Sequence, residues 1–153
     1  FGLHFVFLDS ETNDIANTLS IQNQARDFPS YRIVNGHTHD WLVVTRMGSW
    51  GTGLQYDYDE WYILSYSGNM KMVLSYKSGG NEVFLDGSTN KYWRTEILND
   101  GYADDSAVDV KFIEKICSTT EDGGDKECSE TSKITHYIWN ESKEEFILKN
   151  TIK

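Results

Sequence analysis

Two histidines flank a threonine in His37-Thr38-His39, and Asp40 follows them. On an extended backbone residues i and i+2 point the same way, so these imidazoles could face one metal ion. A catalytic zinc site needs a third ligand and a general acid or base; His4 and His136 are the remaining histidines, each alone in its own segment. A second chemistry lies in Asn99-Asp100-Gly101-Tyr102-Ala103-Asp104-Asp105. Carboxylates around a glycine turn suit calcium, with Asp100 and Asp104 as candidate ligands. A third lies in Met47-Gly48-Ser49-Trp50-Gly51-Thr52-Gly53, an aromatic on a glycine-rich loop. With Tyr56, Tyr58 and Trp61 nearby, Trp50 would build a platform that stacks on a sugar or anchors a protein partner. Lastly, Cys117 and Cys128 sit symmetrically about Asp122-Gly123, so a hairpin turning there would join them in a disulfide. Each has a plainer competitor: a polar strand end for the histidines, an ordinary turn for the aspartates, core packing for the rings.

The His37–Asp40 stretch resembles part of the metal-binding HxHxD segment of metallo-β-lactamase-like hydrolases. That resemblance implies hydrolysis at a metal held by His37, His39 and Asp40, yet the family's further histidine and its α/β alternation are absent. Asp100, Gly101 and Asp104 resemble the end of the DxDxDG calcium loops of FG-GAP and dockerin-type repeats, which implies bound calcium. The earlier acidic positions of that pattern hold Glu96 and Leu98, and the stretch occurs once. Nucleophilic catalysis finds little: there is no GxSxG elbow, and no Ser or Cys is locally paired with His. Asp57 and Asp59 share a strand face roughly 7 Å apart, whereas glycosidase carboxylates normally come from separate strands. The Met47–Gly53 glycines lack the ending of a phosphate loop.

Charge narrows the partners. The chain has 14 basic and 24 acidic side chains, a net charge of −10. Nucleic acid and anionic membranes demand basic patches, so neither is expected. No apolar run approaches the ~20 residues of a membrane span. A disulfide would place the protein in an oxidising compartment: extracellular, periplasmic or cell-surface. Asn140-Glu141-Ser142 is a glycosylation sequon, a match expected by chance. The chain opens on Phe1, and a mature, trimmed or fragmentary start is expected.

The elements that would position these residues are mostly strands. Aromatics make up 14% of the chain, with five Trp and nine Tyr, a load that suits sheets. Residues 3–8 alternate, with Leu3, Phe5 and Phe7 on one face. Asp9 or Ser10 could cap a helix over roughly 11–26 with a thin apolar stripe of Ile15, Ala16, Leu19 and Ala25. Residues 31–34 and 41–44 pair through Asn35-Gly36. A hairpin centred on Gly68 sets Tyr62 against Leu74 and Leu64 against Met72. Lys77 to Asn81 is expected to be a glycine turn before a short strand at 82–85. The last hairpin sets Trp139 against Phe146 and Tyr137 against Leu148. Short connections favour an antiparallel meander.

The expectation is therefore one domain over 1–153, mainly β with α+β as the variant: an antiparallel meander or sandwich with one short N-terminal helix. The leading function is an extracytoplasmic, non-enzymatic binding domain for a protein or glycan, using Trp50, Tyr56, Tyr58 and Trp61. The alternatives are an acidic inhibitor or immunity-type protein that caps a basic partner, and a metal-dependent hydrolase at His37, His39 and Asp40. No cofactor is expected, calcium being the one candidate.

Overall fold

A computed structural model describes residues 2–22, 30–36, 39–51, 53–64, 68–84, 88–98, 106–122 and 124–153. Ten strands follow one another: β1 (Gly2–Leu8), β2 (Ile15–Gln22), β3 (Ser30–Asn35), β4 (Asp40–Trp50), β5 (Leu54–Leu64), β6 (Met70–Val83), β7 (Thr89–Ile97), β8 (Ala107–Thr119), β9 (Asp125–Asn140) and β10 (Glu145–Ile152). β1 and β2 form a two-stranded sheet, and β3 to β10 form an eight-stranded antiparallel meander in strict chain order.

The N-terminal helix is replaced by a strand. Residues 15–22 pair with β1, setting Leu3 against Ile21 and Phe5 against Leu19. Asp9 does act as a cap, but of a turn: its Oδ1 accepts the amides of Glu11 and Thr12, both at 2.9 Å. Asn13 then takes a positive φ of 61°, which asparagine tolerates, and the chain doubles back. Of the apolar stripe that suggested a helix, Leu19 turns inward, in one row with Ile21 and against apolar partners from β1, whereas Ile15 and Ala16 are exposed. Residues 23–26 of the expected helix lie outside the described residues.

The central hairpin forms, in another register. Leu64 pairs with Met70 and Tyr62 with Met72, two residues away from the expected pairing. Two bulges on β6, at Val73 and Ser78, each absorb one residue, so the expected register is reached only at Asp57 opposite Gly79. The bulge also turns both Val73 and Leu74 into the core. Lys77 to Asn81 is not a turn, since β6 runs straight through it. Gly80 is there for close approach: a Cβ on it would lie 2.3 Å from the Gln55 carbonyl and 2.7 Å from the Trp93 ring.

Where the core sits shows how the sheet is shaped. One cluster joins Trp41, Val43, Trp61, Ile63, Val73 and Leu74 of β4–β6 to Val108 and Val110 of β8 and Phe146 of β10. These strands stand far apart in the sheet order, so the sheet folds over and packs on itself. The opposite face of β4 is covered by the β1–β2 hairpin, through Leu3, Phe5, Phe7, Leu19 and Ile21 against Leu42, Val44 and Tyr62. Fully burying such a side chain contributes about 1.5–3 kcal/mol. Cys117 lies opposite Cys128, Trp139 opposite Phe146 and Tyr137 opposite Leu148, all as expected. Cys117 and Cys128 are joined in a disulfide.

Candidate functional site

β5 carries the site. Its alternation sends Asp59, Trp61 and Ile63 into the folded-over core and Tyr56, Tyr58, Glu60 and Tyr62 to the other face. Adjacent carboxylates therefore anchor opposite faces. Asp59, 4% exposed, accepts from Arg32 Nη2 at 2.8 Å and from Thr45 Oγ at 2.7 Å. The Tyr76 hydroxyl approaches it at 3.4 Å and accepts from the Trp61 indole at 3.2 Å. Glu60, 5% exposed, takes Arg46 through Nε at 2.7 Å and Nη2 at 2.6 Å. The Tyr62 hydroxyl donates to its other oxygen at 2.8 Å. Each carboxylate accepts from donors on two or more side chains and so braces its face of β5. Burial, and then the neighbouring carboxylate, push the phenols of Tyr62 and Tyr76 well above the usual tyrosine range.

Beyond Glu60 the same face holds Tyr58 and Tyr56. Their rings meet edge to face, centroids 5.3 Å apart at 87°. Gly48 makes this possible. It is the extra residue of a bulge between Met47 and Ser49, and a Cβ on it would lie 2.3 Å from the Tyr56 ring and 2.4 Å from that of Tyr58. The Lys77 ammonium stands 4.3 Å from the Tyr56 centroid, in cation–π range. Desolvation, followed by a hydrogen bond with Tyr56, raises the Tyr58 phenol above its ordinary value. The result is a half-buried pair of rings with a cation beside it, seated on a rigid sheet.

The proposed aromatic platform is thus divided. Tyr56 and Tyr58 are together, whereas Trp61 is 0% exposed in the core on the opposite face, where the Tyr76 hydroxyl holds its indole. Trp50 ends β4 with its backbone opposite Gln55, and its side chain lies outside the described residues. Lys77 and Arg46 were missed from the sequence, whereas Gly48 belongs to the Met47–Gly53 glycine run, whose spacing suggests a loop, a bulge or a close approach, and it sits at a bulge. Gly48 carried a signal, since a glycine inside a β-run next to paired tyrosines marks close approach.

The metal candidates fare unevenly. His37, Asp100 and Asp104 lie outside the described residues. His39 opens toward β4 and packs its ring 5.8 Å from Trp41 and 6.3 Å from Trp139. Asp40 is exposed and pairs with Asn35. His4 bonds Ser20 on the N-terminal hairpin at 2.9 Å, and His136 bonds Asp109 on β8. Among the described residues the one group with metal-ligand spacing is Cys117, Asp125 and Cys128, whose sulfurs are already bonded to each other.

No protein-family model, curated protein or solved structure matches this chain. The fold and face by themselves define the class: an antiparallel β protein with a braced tyrosine face.

Proposed function

We propose that the protein is a non-enzymatic binding domain of an oxidising, extracytoplasmic compartment, and that it recognises a glycan at Tyr56, Tyr58 and Lys77. The observation that carries this reading is the ring pair itself. Two half-buried aromatics are held edge to face over a glycine, where an added Cβ would force the rings to move. Sugar rings present C–H faces that pack on aromatics, and hydroxyls that the two phenols and Lys77 could meet. Positioning costs little on such a face, because the rings are fixed before any ligand arrives. The Cys117–Cys128 disulfide supports the compartment. Arg46 and Glu60 brace the face from beneath.

The test is a glycan array followed by calorimetry on the best hit. Tyr56→Ala and Tyr58→Ala should each weaken binding about tenfold, roughly one stacked contact's worth, with melting temperatures showing that both variants fold. Hits that both variants retain at full affinity would remove the tyrosine face from the account.

A further inference from the structure

The tyrosine face has a charge left over. Arg46 of β4 and Lys77 of β6 are the direct partners of Tyr58 on its two sides. Directly opposed residues of a sheet share a face, so both cations flank the ring pair. Their surroundings differ. Arg46 is engaged by Glu60, which takes its Nε at 2.7 Å and its Nη2 at 2.6 Å. Lys77 is exposed, and among the described residues no carboxylate pairs with it. Its ammonium lies instead against the Tyr56 ring, 4.3 Å from the centroid.

The acidic side of the balance is short. Among Tyr56, Tyr58, Glu60 and Tyr62, which β5 turns to this face, Glu60 alone is charged, and Arg46 meets that charge. The next acidic residue of β6, Glu82, lies beyond Gly80, opposite Leu54 of β5 and Lys91 of β7. One positive charge therefore remains beside two phenols, in a chain whose net charge is −10.

The groups around that charge are donors. The Tyr58 phenol, raised by desolvation and then by its hydrogen bond with Tyr56, keeps its proton at neutral pH and can give it to an acceptor. An ammonium that already rests on a ring has lost part of its rotamer freedom, so an anion meets it at a lower ordering cost.

We propose that the glycan taken by this face is acidic: a saccharide whose ring packs on Tyr56 and Tyr58 while its carboxylate or sulfate meets the Lys77 ammonium and a phenol hydroxyl. This inference rests on the glycan reading of the tyrosine face and adds the charge of the ligand to it. Uronic and sialic acids carry the carboxylate directly on a ring carbon, and sulfate esters hang from ring hydroxyls. One sugar residue can therefore make the ring contact and the ionic one together. A neutral sugar leaves the ammonium to water and forgoes the charge-assisted bond.

The test is calorimetry with matched probes: tetragalacturonate against its methyl ester, sialyllactose against lactose, and sulfated lactose against lactose. At least one acidic member should bind about tenfold more tightly than its neutral partner, the worth of one charge-assisted contact. Lys77→Gln should bring the ratio of the two affinities to about one, and Lys77→Arg should keep most of it. A preference confined to the first two pairs assigns a carboxylate, and one confined to the third a sulfate. The inference is overturned if every neutral partner binds as tightly as its acid, or if the preference persists in Lys77→Gln. Neutral binding that Tyr56→Ala abolishes would then leave the glycan reading standing. If no probe's binding depends on Tyr56 or Tyr58, both fall together. An aspartate-rich peptide that binds as tightly as the acidic saccharides, and needs Lys77 equally, would also overturn it and give the face to a protein ligand.

Discussion

Asp59 and Arg32 form a pair of unequal exposure: the carboxylate is buried, while the guanidinium side chain is 45% exposed. Truncating Arg32 leaves a buried charge with only Thr45 and Tyr76 to satisfy it, whereas neutralising Asp59 leaves an arginine that water can reach. Arg32→Ala should therefore cost about 2–3 kcal/mol and Asp59→Asn only about 1 kcal/mol, as read from denaturant midpoints. Equal costs would mean that the pair is not asymmetric in this way. Gly48→Ala should cost about 1–3 kcal/mol, because the added methyl drives the Tyr56 and Tyr58 rings apart; their near-ultraviolet circular dichroism should change with it. Little of this was legible in the sequence. Alternation assigns Asp59 and Glu60 to opposite faces, but Arg32 lies 27 residues from Asp59, and nothing local shows that they meet. The sequence leaves Trp61 open between platform and core because type and neighbourhood do not reveal which face of a strand is covered.

Hairpins with mirrored apolar pairs are readable, and those around Asp122-Gly123 and Asn140–Glu145 have the pairings expected of them. Errors arose where one residue type serves two geometries. Asp9 caps a turn with the same side-chain-to-amide bonds that would cap a helix. Gly79 and Gly80 leave room for Trp93 where a turn was expected. The bulges at Val73 and Ser78 depend on packing across the folded sheet, which no local pattern encodes. The Asp9 turn has a pH signature. Hydrogen bonds from the Thr12 and Glu11 amides hold its carboxyl below the usual carboxylate range. A lowered value in the folded state stabilises the turn above the unfolded carboxylate's range, and that contribution is lost as pH falls through the folded value. Amide shifts of Glu11 and Thr12 should titrate together below the ordinary aspartate range; a transition at the ordinary value would contradict the cap. For the β8–β9 hairpin, Cys117→Ala with Cys128→Ala should lower stability by about 2–3 kcal/mol, measured in urea.

At the scale of the molecule, the folded-over sheet is closed by Trp41, Trp61, Trp139 and Phe146, whose rings lie 5.2–6.4 Å apart. Phe146→Ala should cost about 3–5 kcal/mol, because it empties the contact between β10 and β4–β5. Tyr62 and Tyr76 set the alkaline limit. Their raised values mean that the folded state holds protons which the unfolded chain releases above about pH 10. Stability should be fully present below that pH and fall as pH rises further, less steeply in Tyr76→Phe.

The central claim is that the tyrosine face binds a glycan, and the most direct measurement is a two-dimensional NMR titration with the best glycan from an array. Shifts should gather on Gly48, Tyr56, Tyr58 and Lys77 and vanish in Tyr56→Ala. Shifts elsewhere on the sheet, unchanged in Tyr56→Ala, would contradict it.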